Sequence, residues 1–203
     1  MKYFLFFIIL ISINCYSQDR PSIFWQNRCE FKTDGSGKSE GLKIKFYYPC
    51  AWKSADTDRA LIIKKFTYNI GKGKSLTQNV SIGSMPAPLS KVETKQMFTQ
   101  EGLREIAGNN GTFISERKVK IDGIDCGEII FKMKRESPIA TAYMYFIQYY
   151  IVYEDKIVNL SYGTGALTEA EAKDLYTKYK SLFQALATNT MILSKWEKAL
   201  NIP

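Results

Sequence analysis

The segment Tyr143–Tyr153 constrains the fold more than any other part of the chain, because both of its alternating sets of side chains are apolar. Only Gln148 interrupts it. A strand with one solvated face alternates apolar and polar residues, whereas a strand that is apolar on both faces is typical of the buried centre of a sheet. The segment therefore predicts a central strand that is covered on both sides.

Seven other segments with strand-like character lie before and after it in the chain. They are residues 27–33, 42–48, 59–68, 77–85, 112–121, 124–135 and 157–162. Asp122-Gly123 is a typical two-residue hairpin turn. With this turn, Arg117 lies opposite Glu128, and Cys126 lies opposite Val119 on the side of the core.

Two capping boxes predict helices. Ser90 with Glu93 begins the first helix, which is expected to continue to Gly108, and Thr168 with Glu171 begins the second. Hairpin-connected strands with two helices predict an α+β fold, in which an antiparallel sheet is flanked by helices as an α-β-α sandwich. No linker divides residues 18–203, so we expect a single domain with a short tail at about 194–203.

The first seventeen residues predict an export signal. Lys2 precedes an apolar run over residues 3–13, and Ser17 ends a suitable cleavage site. The run is well short of the ~20 residues that span a bilayer, and no later segment approaches that length. We therefore expect a periplasmic or extracellular protein. The alternative is an outer-membrane lipoprotein anchored through Cys15, although Asn14 fits a lipoprotein box poorly.

Three cysteines remain after cleavage at Ser17, which favours one disulfide and one spare thiol in an exported protein. Cys29 and Cys50 flank the first hairpin and are the candidate pair. Hairpin pairing does not place them directly opposite each other, so the sequence leaves open whether they are bonded. Cys126 is expected to be a small apolar residue of the core.

The chain contains no histidine, which excludes His-dependent nucleophilic catalysis and His-based zinc sites. We predict no catalytic residue, no metal ligand and no cofactor. A catalytic pair of carboxylates is possible in principle, but the candidate glutamates are better interpreted as helix-surface or cross-strand partners: Glu101, Glu105, Glu116 and Glu128. Trp25 and Trp52 flank the first hairpin and are the candidate binding edge. The net charge of +8 favours anionic partners, but without an arginine cluster nucleic acid is not expected.

Several local motifs together resemble the PsbP-like superfamily. The first hairpin ends in Phe46-Tyr47-Tyr48-Pro49 with Trp52 close behind, Ile121-Asp122-Gly123 forms a turn, and Leu182-Phe183 leads to a short closing strand. The resemblance covers roughly residues 24–194. It implies an α-β-α sandwich around an antiparallel sheet, a scaffold used for protein binding, and no shared catalytic site. Fold similarity of this kind does not by itself specify a function.

Two functional hypotheses follow. The first is a non-enzymatic envelope protein that binds another envelope or secreted protein or supports an assembly. The alternative is a carrier for an anionic small molecule or glycan. The sequence does not indicate an oligomeric state.

Overall fold

The computed structural model describes residues 21–55, 57–108 and 111–200. Within these ranges the α-helices are α1 (Pro21–Gln26), α2 (Lys91–Met97), α3 (Gln100–Ala107), α4 (Glu169–Thr188) and α5 (Leu193–Ala199). The β-strands are β1 (Arg28–Lys32), β2 (Ile44–Pro49), β3 (Lys53–Ala55), β4 (Ile62–Gly71), β5 (Lys74–Ser84), β6 (Thr112–Ile121), β7 (Ile124–Glu136), β8 (Thr141–Tyr153), β9 (Lys156–Ala166) and β10 (Met191–Ile192). The predicted signal peptide, residues 1–17, and Cys15 lie outside the described residues.

The strands form two sheets. The main sheet has the order β3-β4-β5-β9-β8-β7-β6, and each neighbouring pair in it is antiparallel. The small sheet has the order β1-β2-β10. Helices lie against the main sheet, so the predicted α+β fold with an antiparallel sheet flanked by helices is confirmed.

The Asp122-Gly123 turn fixes the register of β6 against β7. Both residues have positive φ, 52° and 74°, as a two-residue hairpin turn requires. Arg117 pairs with Glu128 and Val119 with Cys126, which confirms the predicted register. Towards the start of β6 the register shifts by one residue between Phe113 and Ser115, at a bulge that the turn alone does not predict.

Helix α4 covers one face of the main sheet. Thr168 caps it by accepting a hydrogen bond from the Glu171 backbone N–H at 3.3 Å, as predicted. Its buried side chains include Tyr179 and Phe183, and the Phe183 ring stacks on Tyr162 of β9 with 5.6 Å between ring centroids. The main core therefore lies between α4, the small sheet and this face of the main sheet.

Tyr162 is fully buried in this core, and its hydroxyl has no hydrogen-bond partner among the described residues. Burial of an unpaired hydroxyl costs about 1–3 kcal/mol. We therefore expect Tyr162→Phe to raise the free energy of unfolding by about 1 kcal/mol in urea titrations.

Tyr145→Phe is the matched control, because the Tyr145 hydroxyl donates a hydrogen bond to Glu169 at 3.2 Å. This variant is expected to be no more stable than the wild type. A loss of stability in Tyr162→Phe would contradict the prediction and indicate a bonded hydroxyl.

The other predicted helix is broken into α2 and α3, which corrects the expectation of one helix reaching Gly108. The Ser90 capping box begins α2 as predicted, with Ser90 and Glu93 bonding reciprocally at 3.2 Å and 2.7 Å. Thr99 then caps α3 by accepting a hydrogen bond from the Gly102 backbone N–H at 3.2 Å. A second capping residue within the apolar pattern starts a new helix and leaves both helices short.

The prediction that β8 is covered on both sides is also wrong for one side. Its odd-numbered face is buried, with Ile147 and Tyr149 almost inaccessible, whereas Phe146 and Gln148 on the even-numbered face are only half-buried. Helix α3 contacts β6 and β7 instead, and Leu103 lies so close to Gly127 of β7 that any larger residue there would collide with it. The second helical layer is therefore incomplete.

The C-terminal segment is held by the β6–β7 turn. The Asp122 carboxylate accepts hydrogen bonds from the Trp196 indole N–H and the Ile192 backbone N–H, each at 3.0 Å. The predicted tail thus includes a short helix, α5, that contacts the domain.

Candidate functional site

The uncovered face of the main sheet carries a groove between β4 and β7, which we call the open groove. Its floor consists of small or polar side chains of β5 and β9: Ser75, Thr77, Asn79, Ser161 and Gly165. They alternate with core residues such as Leu76 and Leu160, so they project away from α4. The volume of about 640 Å³ is within the range of ligand-binding clefts.

An apolar wall borders the floor on the side of β7 and β8. The rings of Phe131 and Phe146 stack with 5.2 Å between centroids, and Met133 and Met144 continue the wall along the same strands. Phe146 leans over Gly163 of β9, where an added Cβ would lie 2.5 Å from the ring. The absence of a side chain at Gly163 thus lets the flat Phe146 ring form part of the groove surface.

Three cationic side chains lie along the groove: Arg59, Lys65 and Arg135. Within the part of the chain that the structure describes, none of them forms an ion pair, and the groove lining contains no carboxylate. A lining with three cations and no described carboxylate gives the groove a positive potential, which favours anionic ligands.

Gln148 organises the middle of the groove. Its amide N–H donates to the Ser161 hydroxyl at 3.2 Å, and its carbonyl accepts from the Tyr150 hydroxyl at 2.7 Å. Burial raises the pKa of Tyr150 to about 12, so this hydroxyl remains a neutral donor near neutral pH. The polar side chains of the groove are therefore partly oriented in advance.

The main buried carboxylate lies on the opposite face of the sheet. Glu128 is 2 % exposed and accepts two hydrogen bonds from the Arg117 guanidinium, at 2.6 Å and 2.8 Å. Hydrogen bonding to Glu128 raises the pKa of Arg117, and burial raises the pKa of the adjacent Tyr149 well above its usual range. Glu128 thus forms a cross-strand ion pair, as the sequence interpretation has it.

The described residues contain no group of three or more Cys, Asp or Glu side chains arranged to hold a metal ion.

Cys29 and Cys50 form a disulfide, with 5.0 Å between their Cα atoms. Cys29 pairs with Tyr48 across the hairpin, and the chain turns after Pro49 so that Cys50 returns towards β1.

Cys126 is a buried free thiol, and burial raises its pKa to about 12. It packs within the main core beside Ile121 and Val119.

The predicted binding edge at Trp25 and Trp52 is wrong for Trp52, which is buried. Trp52 is only 3 % exposed and packs edge-on against Phe24, which corrects its assignment to an exposed surface. The turn after β2 directs this side chain under α1, where its apolar area is removed from water. Trp25 is half-buried, and the Arg28 guanidinium lies 4.2 Å from its ring centroid. Neither residue lines the open groove.

The sequence interpretation missed the groove residues, although a signal for them is present. In residues 75–83 and 157–165, apolar core positions alternate with Ser, Thr, Asn and Gly. Small side chains at every second position leave room above a sheet face, whereas the long side chains of an ordinary solvated face would fill that room. Gln148, the sole polar residue of the aromatic strand, belongs to the same surface.

No protein-family model matches the chain, and no curated protein matches it in sequence. Similar solved structures include LpqN of Mycobacterium tuberculosis, described as involved in cell envelope biogenesis, at 12 % identity, covering 83 % of this chain and 93 % of that one, with a TM-score of 0.46. The Ran-binding protein Mog1p of Saccharomyces cerevisiae matches at 16 % identity, with 82 % and 95 % coverage and a TM-score of 0.47. A Bacteroides thetaiotaomicron protein matches at 14 % identity, with 71 % and 44 % coverage and a TM-score of 0.34.

At identities of 12–16 % and TM-scores below 0.5, these matches establish neither a family nor a function for the chain. The resemblance to the PsbP-like superfamily therefore stays a prediction from the sequence motifs. Among the described helices, none has both the length and the apolar character needed to cross a membrane.

Proposed function

We propose that the protein is an exported, non-enzymatic binding module of a cell envelope and that it holds an anionic component in the open groove. The observation that carries this proposal is the set of three cations, Arg59, Lys65 and Arg135, in a groove lined by no carboxylate among the described residues. The two functional hypotheses from the sequence are a partner protein and an anionic small molecule or glycan. A surface of this charge suits the second, and it suits the first where the partner protein is acidic.

Export is supported by the sequence and by the disulfide. The first seventeen residues have the pattern of a signal peptide. A disulfide between Cys29 and Cys50 is typical of proteins in oxidising compartments outside the cytosol. A periplasmic or extracellular location agrees with both features, and lipidation at Cys15 remains the alternative.

A non-enzymatic role is supported by the residues of the groove. The chain has no histidine, and the ionisable groups that line the groove are cations and not carboxylates. Glu128, the most buried carboxylate of the described chain, is on the other face and already accepts two hydrogen bonds from Arg117. General acid–base catalysis needs a side chain that can donate and accept a proton within hydrogen-bond reach of a ligand, and the described groove lining contains no carboxylate or histidine for this role.

The proposal predicts that anion binding depends on the groove cations. We expect the purified protein to bind oligoglutamate, oligogalacturonate or both saturably in calorimetric titrations, with affinity that falls as salt is added. The combined variant Arg59→Gln, Lys65→Gln and Arg135→Gln should weaken this binding about 30-fold, because three exposed charge contacts contribute roughly 0.5–1 kcal/mol each.

The matched control removes the same charge from the opposite face. Lys173, Lys178 and Lys180 lie on α4, and their combined change to Gln should weaken binding by less than about threefold. Equal losses in the two triple variants would indicate attraction by net charge alone. Absence of binding to both polyanions would also refute the proposal.

A further inference from the structure

The backbone beneath the open groove has no free hydrogen-bonding edge. Strands β5, β9 and β8 each pair with a neighbour on both sides along the groove. An extended peptide binds a sheet by adding a strand at an unpaired edge, and this mode requires free backbone groups. Recognition in the groove must therefore be made by side chains.

The side chains of the floor suit a ligand rich in hydroxyl groups. Ser75, Thr77 and Ser161 each carry a hydroxyl, and Asn79 and Gln148 each carry an amide. Hydroxyls and amides both donate and accept hydrogen bonds. A sugar hydroxyl also donates and accepts, so the two surfaces match. A glutamate side chain, by contrast, offers only acceptors when it is ionised.

The Phe146 ring adds a flat apolar surface beside this floor. It stacks on Phe131 and lies over Gly163, so its orientation is fixed from two sides. The C–H face of a pyranose ring is apolar, and an aromatic ring beside hydrogen-bonding groups offers it both an apolar and a polar contact. An acidic peptide without aromatic residues gains little from the same ring.

The cations are too far apart for one small anion. Lys65 lies on β4 and Arg135 on β7, four strands apart in the main sheet. Cross-strand pairing connects Lys65 through β5, β9 and β8 to Ile129 of β7, so these two residues lie in one row across the sheet. Arg135 lies six residues further along β7 from Ile129. Four strand spacings across the sheet and the rise of six residues along β7 then separate the two backbones by about 27 Å. A ligand that contacts both cations must be extended and must carry several negative charges.

We infer that the open groove binds an acidic oligosaccharide, with several carboxylated sugar units extended across the sheet from Lys65 towards Arg135. Phe146 stacks against one sugar ring, the polar side chains of β5, β9 and Gln148 bond the ring hydroxyls, and the cations bond the carboxylates. This inference rests on the proposed function and specifies its ligand.

The test compares an oligogalacturonate with an oligoglutamate of matched charge by calorimetry, using the full protein and the variant Phe146→Leu. Leucine retains apolar bulk but removes the flat ring. We expect the oligogalacturonate to bind about tenfold more tightly than the oligoglutamate. Phe146→Leu should weaken oligogalacturonate binding about tenfold and leave oligoglutamate binding within about twofold of the wild type.

Phe113→Leu is the matched control. Phe113, like Phe146, packs against a small buried cluster on the α3 side of the main sheet, but it does not line the groove. The buried residues of this cluster are Phe98, Leu103, Ile129 and Phe131. This variant should bind both ligands like the wild type, and its circular dichroism spectrum should match that of Phe146→Leu.

Equal affinity for the two ligands, or equal losses in the two leucine variants, would overturn the inference. If those results came with salt-sensitive binding that depends on Arg59, Lys65 and Arg135, the anion-binding function would stand and only the sugar specificity would fail. Loss of charge-dependent binding to both ligands would instead remove the proposed function itself.

Discussion

At pH 11 we expect four buried tyrosine hydroxyls alone to have removed about 6 kcal/mol of the stability that the protein has at pH 8, because these hydroxyls must ionise in the unfolded chain but not in the folded one. Burial holds the pKa values of Tyr149, Tyr162 and Tyr176 well above their usual range, and it raises that of Tyr150 to about 12. The unfolded chain ionises near pH 10.

The free energy of unfolding falls with rising pH because the folded state keeps its tyrosine protons to a higher pH than the unfolded state does. Below pH 10 both states hold the tyrosine protons, and the contribution to stability is fully present. Above pH 10 the unfolded state releases them first, so the free energy of unfolding falls by about 1.4 kcal/mol per pH unit for each buried hydroxyl. The buried Cys126 thiol, whose pKa burial raises to about 12, adds to the loss from pH 9 upwards.

Urea titrations at a series of pH values from 8 to about 11.5 measure this slope. Tyrosinate absorbance should appear together with unfolding and not before it, except for the exposed tyrosines. Tyr162→Phe provides the control, because removing one buried hydroxyl should reduce the slope by about 1.4 kcal/mol per pH unit. A free energy of unfolding that stays constant between pH 8 and pH 11 would show that these hydroxyls ionise freely in the folded protein.

Loss of the Cys29–Cys50 disulfide should lower the free energy of unfolding by about 3 kcal/mol. The two cysteines are 21 residues apart in sequence, and the bond closes a loop of that size in the unfolded chain. Without the bond, the unfolded chain gains the corresponding conformational entropy. The bond also holds β1 beside the turn that places Trp52 in the core.

The double variant Cys29→Ala and Cys50→Ala can be compared with the wild type in urea, with and without dithiothreitol. Cys50 is exposed, so the reductant has access to the bond. The wild type should fall to the stability of the double variant when it is reduced, and the double variant should not respond. Cys126→Ala retains the disulfide and should respond to dithiothreitol like the wild type. If dithiothreitol left the urea midpoint of the wild type unchanged, this result would contradict the Cys29–Cys50 disulfide.

The features that the sequence predicted correctly depend on short stretches of chain. Asp122-Gly123 sets the β6–β7 register through the backbone preference of two residues, and Thr168 begins α4 through one hydrogen bond. Interactions of this kind are encoded within a few positions, so they can be predicted without knowledge of the rest of the fold.

The features that were missed depend on how distant elements meet. The cover over the even-numbered face of β8 depends on the lengths of α2 and α3. Both helices are short because the cap at Thr99 separates them. Whether Trp52 is exposed is decided by α1, whose Phe24 packs against it. Apolar periodicity shows that a side chain prefers burial, but it does not show which element supplies the cover.

The pairing of β10 with β2 has a further consequence for the order in which the fold is completed. Ile192 pairs with Ile44, and Met191 with Lys45, so the last described strand joins one of the first. A polypeptide threaded amino end first through a narrow channel cannot make this pairing until its carboxyl end has emerged. Closure of the small sheet therefore comes late, because it requires residues 191–192, near the end of the described chain.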